Sequence, residues 1–201
     1  MTLWRATQPL ILASQSPARQ ALLANAGIAF EAIPAGLDEP AIKLASALSA
    51  PGEIAALLAR DKALFVSAKH AGRYVVGADQ TLMLGARLLS KPAGRDEAAA
   101  QLRALAGQAH ELHSAAAVAR DGEILFENVS IARMTMRWLD EAAISAYLEA
   151  AGEAVTSSVG AYQLEGLGVH LFERIEGDHF TILGLPLLPL LKFLRGQGLL
   201  R

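Results

Sequence analysis

Cysteine is absent from the 201 residues, which excludes disulfides and any thiolate zinc site and fits the cytoplasmic location expected here. Long runs of one charge are missing too. Eighteen Lys and Arg against 20 Asp and Glu leave a net charge of −2, and no basic stretch could track a duplex, so nucleic acid is not an expected partner. A small anionic ligand stays open, because it needs only a local cluster of cations. Long apolar runs are lacking as well. Arg5 is followed by a brief apolar stretch that Gln8 and Pro9 interrupt, which does not read as a secretory leader. The most apolar segment, "ILGLPLLPLL" at 182–191, is short and carries two prolines, so no membrane association is expected.

Apolar residues make up 53% of the chain and charged residues 19%, enough for a sizeable core and too apolar for general disorder. No repeat, low-complexity tract or linker interrupts it. The expectation is one domain over 1–201, of the α/β class.

"LILASQSPARQALL" at 10–23 predicts a buried strand feeding a helix. Ser16 suits the N-cap, Pro17 the first helical position, and Gly27 the stop. Arg19 then falls in the first turn, where the helix dipole mildly disfavours a cation. A bound anion, held by Arg19, free amides and the serine hydroxyls, would resolve the mismatch. Taken alone, the stretch favours a solvated arginine.

"FEAIPAGLDEP" at 30–40 reads as a second strand and a loop ending in the acidic pair Asp38–Glu39. "GEIAALLARDKALFVSAKHAG" at 52–72 predicts a helix with Ile54, Leu57, Leu58, Leu64, Phe65 and Ala68 on its apolar stripe. Asp61 falls within that stripe and needs a partner or a bend. Lys62 falls on its flank, where the stem can pack and the ammonium reach outward. "RYVVGADQTLMLGARLLSKP" at 73–92 predicts a strand, an interruption at Gly77–Ala78–Asp79, and a second strand turning at Gly85. A helix is expected over 96–105, two long strands over 109–119 and 123–137 joined by "RDGE", and a helix capped by Asp140 and ending at Gly152. The segment 153–185 reads as glycine-rich with short strand-like pieces, and 186–195 as a closing helix.

Asp79 is the strongest candidate base. At the end of a buried strand and flanked by small residues, a carboxylate there can take a proton from water or hold a divalent ion. A turn-forming aspartate fits that motif equally well. Lys91 precedes Pro92, which biases its backbone to an extended form. Arg19, Lys62 and Lys91 are cations near element ends, and Asp38, Glu39 and Asp79 are acids there. Triphosphate chemistry needs such a mixture. "HELH" at 110–113 lacks the spacing of a helical zinc motif, and "GAYQLEGLG" at 160–168 lacks that of a dinucleotide fingerprint, though it can still form a loop over a ligand.

"LILASQSPARQALL", "DE" at 38–39, "RDKA" at 60–63, "VVGADQTL" at 75–82, "SKP" at 90–92 and "GAYQLEGLGVHLFERIEGDHFTILGLP" at 160–186 follow in this order. From Leu10 to Leu194 the chain resembles the Maf-like nucleotide pyrophosphatases, first known as septum-formation inhibitors. The resemblance implies hydrolysis of nucleoside triphosphates between the α and β phosphates with a divalent metal, and the lack of cysteine beside carboxylate oxygens points to Mg²⁺ or Mn²⁺. The resemblance also implies a mixed, elongated sheet flanked by helices, with two lobes around a nucleotide cleft, similar to inosine triphosphate pyrophosphatases and often dimeric. Carried over by position, Asp79 is the general base. Ser14, Ser16, Arg19, Lys62 and Lys91 bind phosphates, and Glu39 joins Asp79 in holding the metal. Ala18 replaces the first of two adjacent arginines common in the family. Gln80 and Glu165 stand where many pyrimidine-preferring members have threonine and glutamine. These two lean toward a 7-methyl-GTP-type substrate, whereas Ala18, the third specificity candidate, fits neither branch. The alternatives are dTTP or UTP, or a non-catalytic nucleotide-binding regulator of cell division.

Overall fold

Ser16 lies in extended conformation and its hydroxyl accepts from the Arg19 amide, so the chain turns from strand β1 (Leu10–Leu12) into helix α1 (Pro17–Asn25) where the Ser–Pro pair predicts it. The computed structural model describes residues 3–201. After α1 come β2 (Phe30–Ala32), α2 (Glu39–Ser46), α3 (Pro51–Ser67), β3 (Val75–Leu84), β4 (Arg87–Leu89) and α4 (Arg95–Leu105). The second half holds β5 (Ala109–Arg120), β6 (Glu123–Met136), α5 (Glu141–Ala151), β7 (Phe172–Glu176), α6 (His179–Ile182) and α7 (Leu187–Gly196), with short 3₁₀ turns between 152 and 171. The strands form one seven-stranded sheet in the order β2-β1-β3-β5-β6-β7, and β4 pairs with β3 beside that path. β1 is parallel to β2 and β3, whereas β4 and β7 run antiparallel to β3 and β6. This is the mixed sheet with flanking helices that the family resemblance implies.

The chain divides into two compact units. The first comprises residues 1–80, 114–130 and 184–201, and the second 81–113 and 131–183. Within the first, Ile11, Ala13, Val66 and Val75 form one buried cluster, and alanines of α3 and β5 form another. Within the second, Leu102 and Leu105 of α4, Met134 and Met136 of β6 and Ile144 and Leu148 of α5 belong to one large core.

Three expectations change in the fold. β3 runs unbroken through Gly77–Ala78–Asp79, so Asp79 is a mid-strand residue rather than the end of a strand. The buried face of α3 is also rotated from the predicted stripe. It carries Ile54, Ala55, Leu58, Ala59, Lys62, Ala63, Val66 and Ser67, while Phe65 is 40% exposed and Leu57 and Leu64 are only partly buried. Lys62 is therefore on the buried face and Asp61 off it. The reason is close packing. A Cβ added at Gly77 would lie 2.0 Å from the Ala59 carbonyl oxygen and 2.7 Å from the Ala63 amide nitrogen. Only small side chains fit against a backbone that near, so the alanine face wins over the bulkier one. The acidic pair differs as well: Asp38 caps α2, accepting from Ala41 N at 3.1 Å, and Glu39 opens the helix rather than ending a loop.

Candidate active site

Beyond the carboxyl end of β1 the buried Ser14 leads into α1, and on the neighbouring parallel strand Asp79 follows the paired segment by three residues. This is the end of a parallel sheet at which α/β proteins gather ligand-binding groups. Lys62 reaches it from the buried face of α3. Its Nζ donates to Asp79 Oδ1 at 2.7 Å and pairs with Glu39 Oε1, also at 2.7 Å. Asp79 and Lys62 are both under 9% exposed, and Glu39 is half-buried. One ammonium thus joins two carboxylates brought in by a strand and by the first turn of a helix.

Arg19 supplies the second cation, although its side chain is not left at the helix terminus. Nε donates to the Gly184 carbonyl at 2.7 Å, and Nη1 to the Ala78 carbonyl at 3.0 Å and to Ser14 Oγ at 3.2 Å. Ser14 Oγ also accepts from the Ser16 amide at 3.2 Å. The arginine braces three segments of the first unit while its charge lies close to Asp79 and Glu39. Burial pulls its guanidinium below the ordinary value, and the two carboxylates oppose that pull. For Glu39, burial alone would raise the carboxyl, but the bond from Lys62 and the positive charges of Lys62, Lys43 and Arg19 outweigh it and hold the group below its usual range.

Gln80, next to Asp79, donates from Nε2 to the fully buried Ser114 Oγ at 2.9 Å. Ala18 is half-buried in the first turn of α1. Ser14, Ser16, Ala18, Arg19, Glu39, Lys62, Asp79 and Gln80 all belong to the first unit. Lys91 and Glu165 belong to the second, both exposed. Glu165 sits at the tip of a turn closed by the Gly166 and Gly168 amides on the Gln163 carbonyl, at 3.2 and 3.1 Å. Sequence reasoning missed the Ala78 and Gly184 carbonyls and Ser114. Backbone acceptors carry no side-chain signal. Gly77 did carry one, as a glycine inside a strand pattern.

Among the described residues no group of three or more His, Asp or Glu side chains could hold a metal ion unaided. Asp79 and Glu39 offer hard oxygens, a donor set that suits Mg²⁺ or Mn²⁺ only when phosphate oxygens and water complete the shell.

Buried cations beside two carboxylates, at the carboxyl end of parallel strands, make a set of groups suited to a phosphorylated ligand. The chain belongs to the Maf-like proteins, whose family model matches residues 9–197. A nucleoside triphosphate pyrophosphatase of Bradyrhizobium diazoefficiens is 69% identical over 200 residues, covering 100% of this chain and 99% of that one. A 7-methyl-GTP pyrophosphatase of Rhizobium etli is 53% identical over 194 residues, covering 96% and 98%. A solved dITP/XTP pyrophosphatase of Mycobacterium abscessus is 17% identical with a TM-score of 0.39 over 96% of each chain, a likeness too distant to bear on fold or function. No helix among the described residues is long and apolar enough to cross a membrane.

Proposed function

We propose that the chain is a nucleoside triphosphate pyrophosphatase that hydrolyses the α–β phosphoanhydride to a nucleoside monophosphate and pyrophosphate. The observation that carries this reading is the Asp79–Lys62–Glu39 constellation with Arg19 beside it. Family membership and the named activity of relatives as close as 69% support it. Asp79 takes the proton of the attacking water. Lys62 holds the Asp79 carboxylate in place and, with Arg19, offsets phosphate charge. Ser14, Ser16 and Lys91 bind the phosphate chain. When bound between Asp79 and Glu39, Mg²⁺ or Mn²⁺ would supply further charge stabilisation at the phosphates. The unbroken family match favours one functional domain over 1–201.

The test is product analysis on a triphosphate panel. Pyrophosphate and monophosphate in equal amounts are expected. Orthophosphate alone would make the chain an ordinary phosphatase, and binding without turnover would make it a regulator.

For the base, we infer a modified purine such as 7-methyl-GTP. The glutamate carboxylate can accept from N1–H and the exocyclic amine of guanine, and a positively charged methylated ring strengthens such bonds. The Rhizobium etli relative bears that substrate in its name, while the 69% identical relatives carry only the general one. Gln80, pinned by Ser114, offers an amide for a neighbouring edge, and Ala18 leaves room for a purine. Comparing kcat/KM for 7-methyl-GTP, GTP, dTTP and UTP tests this. Glu165→Gln should erode the purine preference, and a wild type that prefers dTTP and UTP would overturn it.

A further inference from the structure

Gln101 lies on the face of α4 that also buries Ala98, Leu102 and Leu105, and is itself 7% exposed. An amide in that position is costly unless both of its ends are paired. Both are. Nε2 donates to the Ser90 carbonyl at 2.9 Å, and Oε1 accepts from the Gly160 amide at 3.2 Å. The first bond lands on the residue before Lys91. The second lands where "GAYQLEG" begins, the loop that ends in Glu165. One turn earlier on α4, Glu97 Oε2 accepts from the Ala93 amide at 2.8 Å, so the same helix holds the Ser90–Ala93 segment at two points. Gly160 is equally fixed: it sits at φ +80, and a Cβ there would come within 2.7 Å of both Leu82 Cδ1 and Tyr162 Cε1.

We infer that Gln101 is a positioning residue that ties the Lys91 loop and the Glu165 loop into one register. Within the second unit, a single side chain sets both the lysine assigned to the phosphates and the carboxylate assigned to the base. The inference rests on the reading that Lys91 binds the triphosphate. Filling the core alone would need no amide; the amide serves the two backbone groups it pairs, and both lie in segments that carry assigned site residues.

The experiment places Gln101→Met and Gln101→Glu in the wild type and in Lys91→Ala, and measures kcat, KM and melting temperature with a nucleoside triphosphate. Gln101→Met removes both bonds. Gln101→Glu keeps an acceptor for Gly160 and, measured at a pH where its carboxyl is ionised, loses the donor for Ser90, so it isolates the Lys91 side. Each is expected to raise KM by about fivefold or more where Lys91 is present; in Lys91→Ala the effect of Gln101→Glu should fall below about twofold and that of Gln101→Met should shrink to the part carried by the Gly160 bond, the non-additivity of residues that act together. A lower melting temperature with unchanged KM, or an equal effect in both backgrounds, would reduce Gln101 to a core residue and overturn the inference. Should burial of a carboxylate prevent Gln101→Glu from folding, Gln101→Met still decides the matter. If Lys91→Ala alone leaves kinetics unchanged, the assignment of Lys91 fails and the inference falls with it. That outcome is read with Gln101 intact, so the two failures are distinct.

Discussion

Lys62 is shared by two acids, and this decides what each substitution does. Asp79→Asn removes the proposed base but leaves Lys62 paired with Glu39, so the fold should persist while turnover drops by roughly 10²–10⁴-fold. Steady-state rates beside a thermal melt check both halves. Lys62→Met leaves the buried Asp79 without its direct ion-pair partner, with only the nearby charge of Arg19 to offset it. Breaking a buried pair in this way costs about 3–5 kcal/mol, a loss that denaturant unfolding should resolve, and one far larger than Asp79→Asn should produce. His110 yields a different prediction. Burial lowers its pKa from 6.5 to about 4, and its Nδ1 has no hydrogen-bond partner among the described residues, while Nε2 meets Tyr162 Oη at 2.7 Å. The folded state therefore keeps His110 neutral where the unfolded chain takes up a proton. Its contribution is complete above pH 6.5 and is lost as pH falls toward 4, by about 3 kcal/mol in all. Unfolding free energies measured between pH 7 and 4.5 should show that slope, and His110→Gln should flatten it.

Elements fixed by their own residues are legible in the sequence. Ser16–Pro17 starts α1, Asp140 caps α5 through its bond from Ala143 N, and Asp121–Gly122, both at positive φ, turn β5 into β6. What was hidden depends on contacts distant in sequence. The inward face of α3 is chosen by the approach of β3 at Gly77, and that choice puts Lys62 rather than Asp61 inside. The periodicity of leucines could not show it, because the winning face is made of alanines. Asp79 was found as a candidate through the Gly–Ala–Asp signal, but its partner depends on the same packing. Gly77→Ala is the direct check. With its Cβ driven against the Ala59 carbonyl oxygen, the helix must shift, at a cost of about 1–3 kcal/mol or more. Activity should fall further than stability alone explains, because Lys62 moves with α3. Melting temperature and kcat measured below the transition separate the two effects.

At the scale of the whole molecule, the ligand and the ion should depend on each other. With Asp79 and Glu39 as the two carboxylates proposed to hold the ion, divalent ions should bind weakly to the protein alone and more tightly with a non-hydrolysable triphosphate, whose oxygens complete the shell. Calorimetric titration of Mn²⁺ with and without that nucleotide measures the coupling. Chelation should abolish turnover, and Mg²⁺ or Mn²⁺ should restore it.

The bond from Arg19 to the Gly184 carbonyl joins residues 165 positions apart, and the unit that contains it is drawn from three separate stretches of chain. A ribosome makes the arginine early and its clamp late. Every chain in synthesis therefore passes through a long interval with the charged groups of the site present and the brace for Arg19 still missing. Domains tend to fold as units, in the order in which they emerge, but here the unit bearing the site cannot close until the stretch beyond residue 183 arrives. Nucleotide hydrolysis is then expected only after the stretch from Gly184 onward has docked, and shorter translation products carry Arg19, Lys62 and Asp79 without the brace.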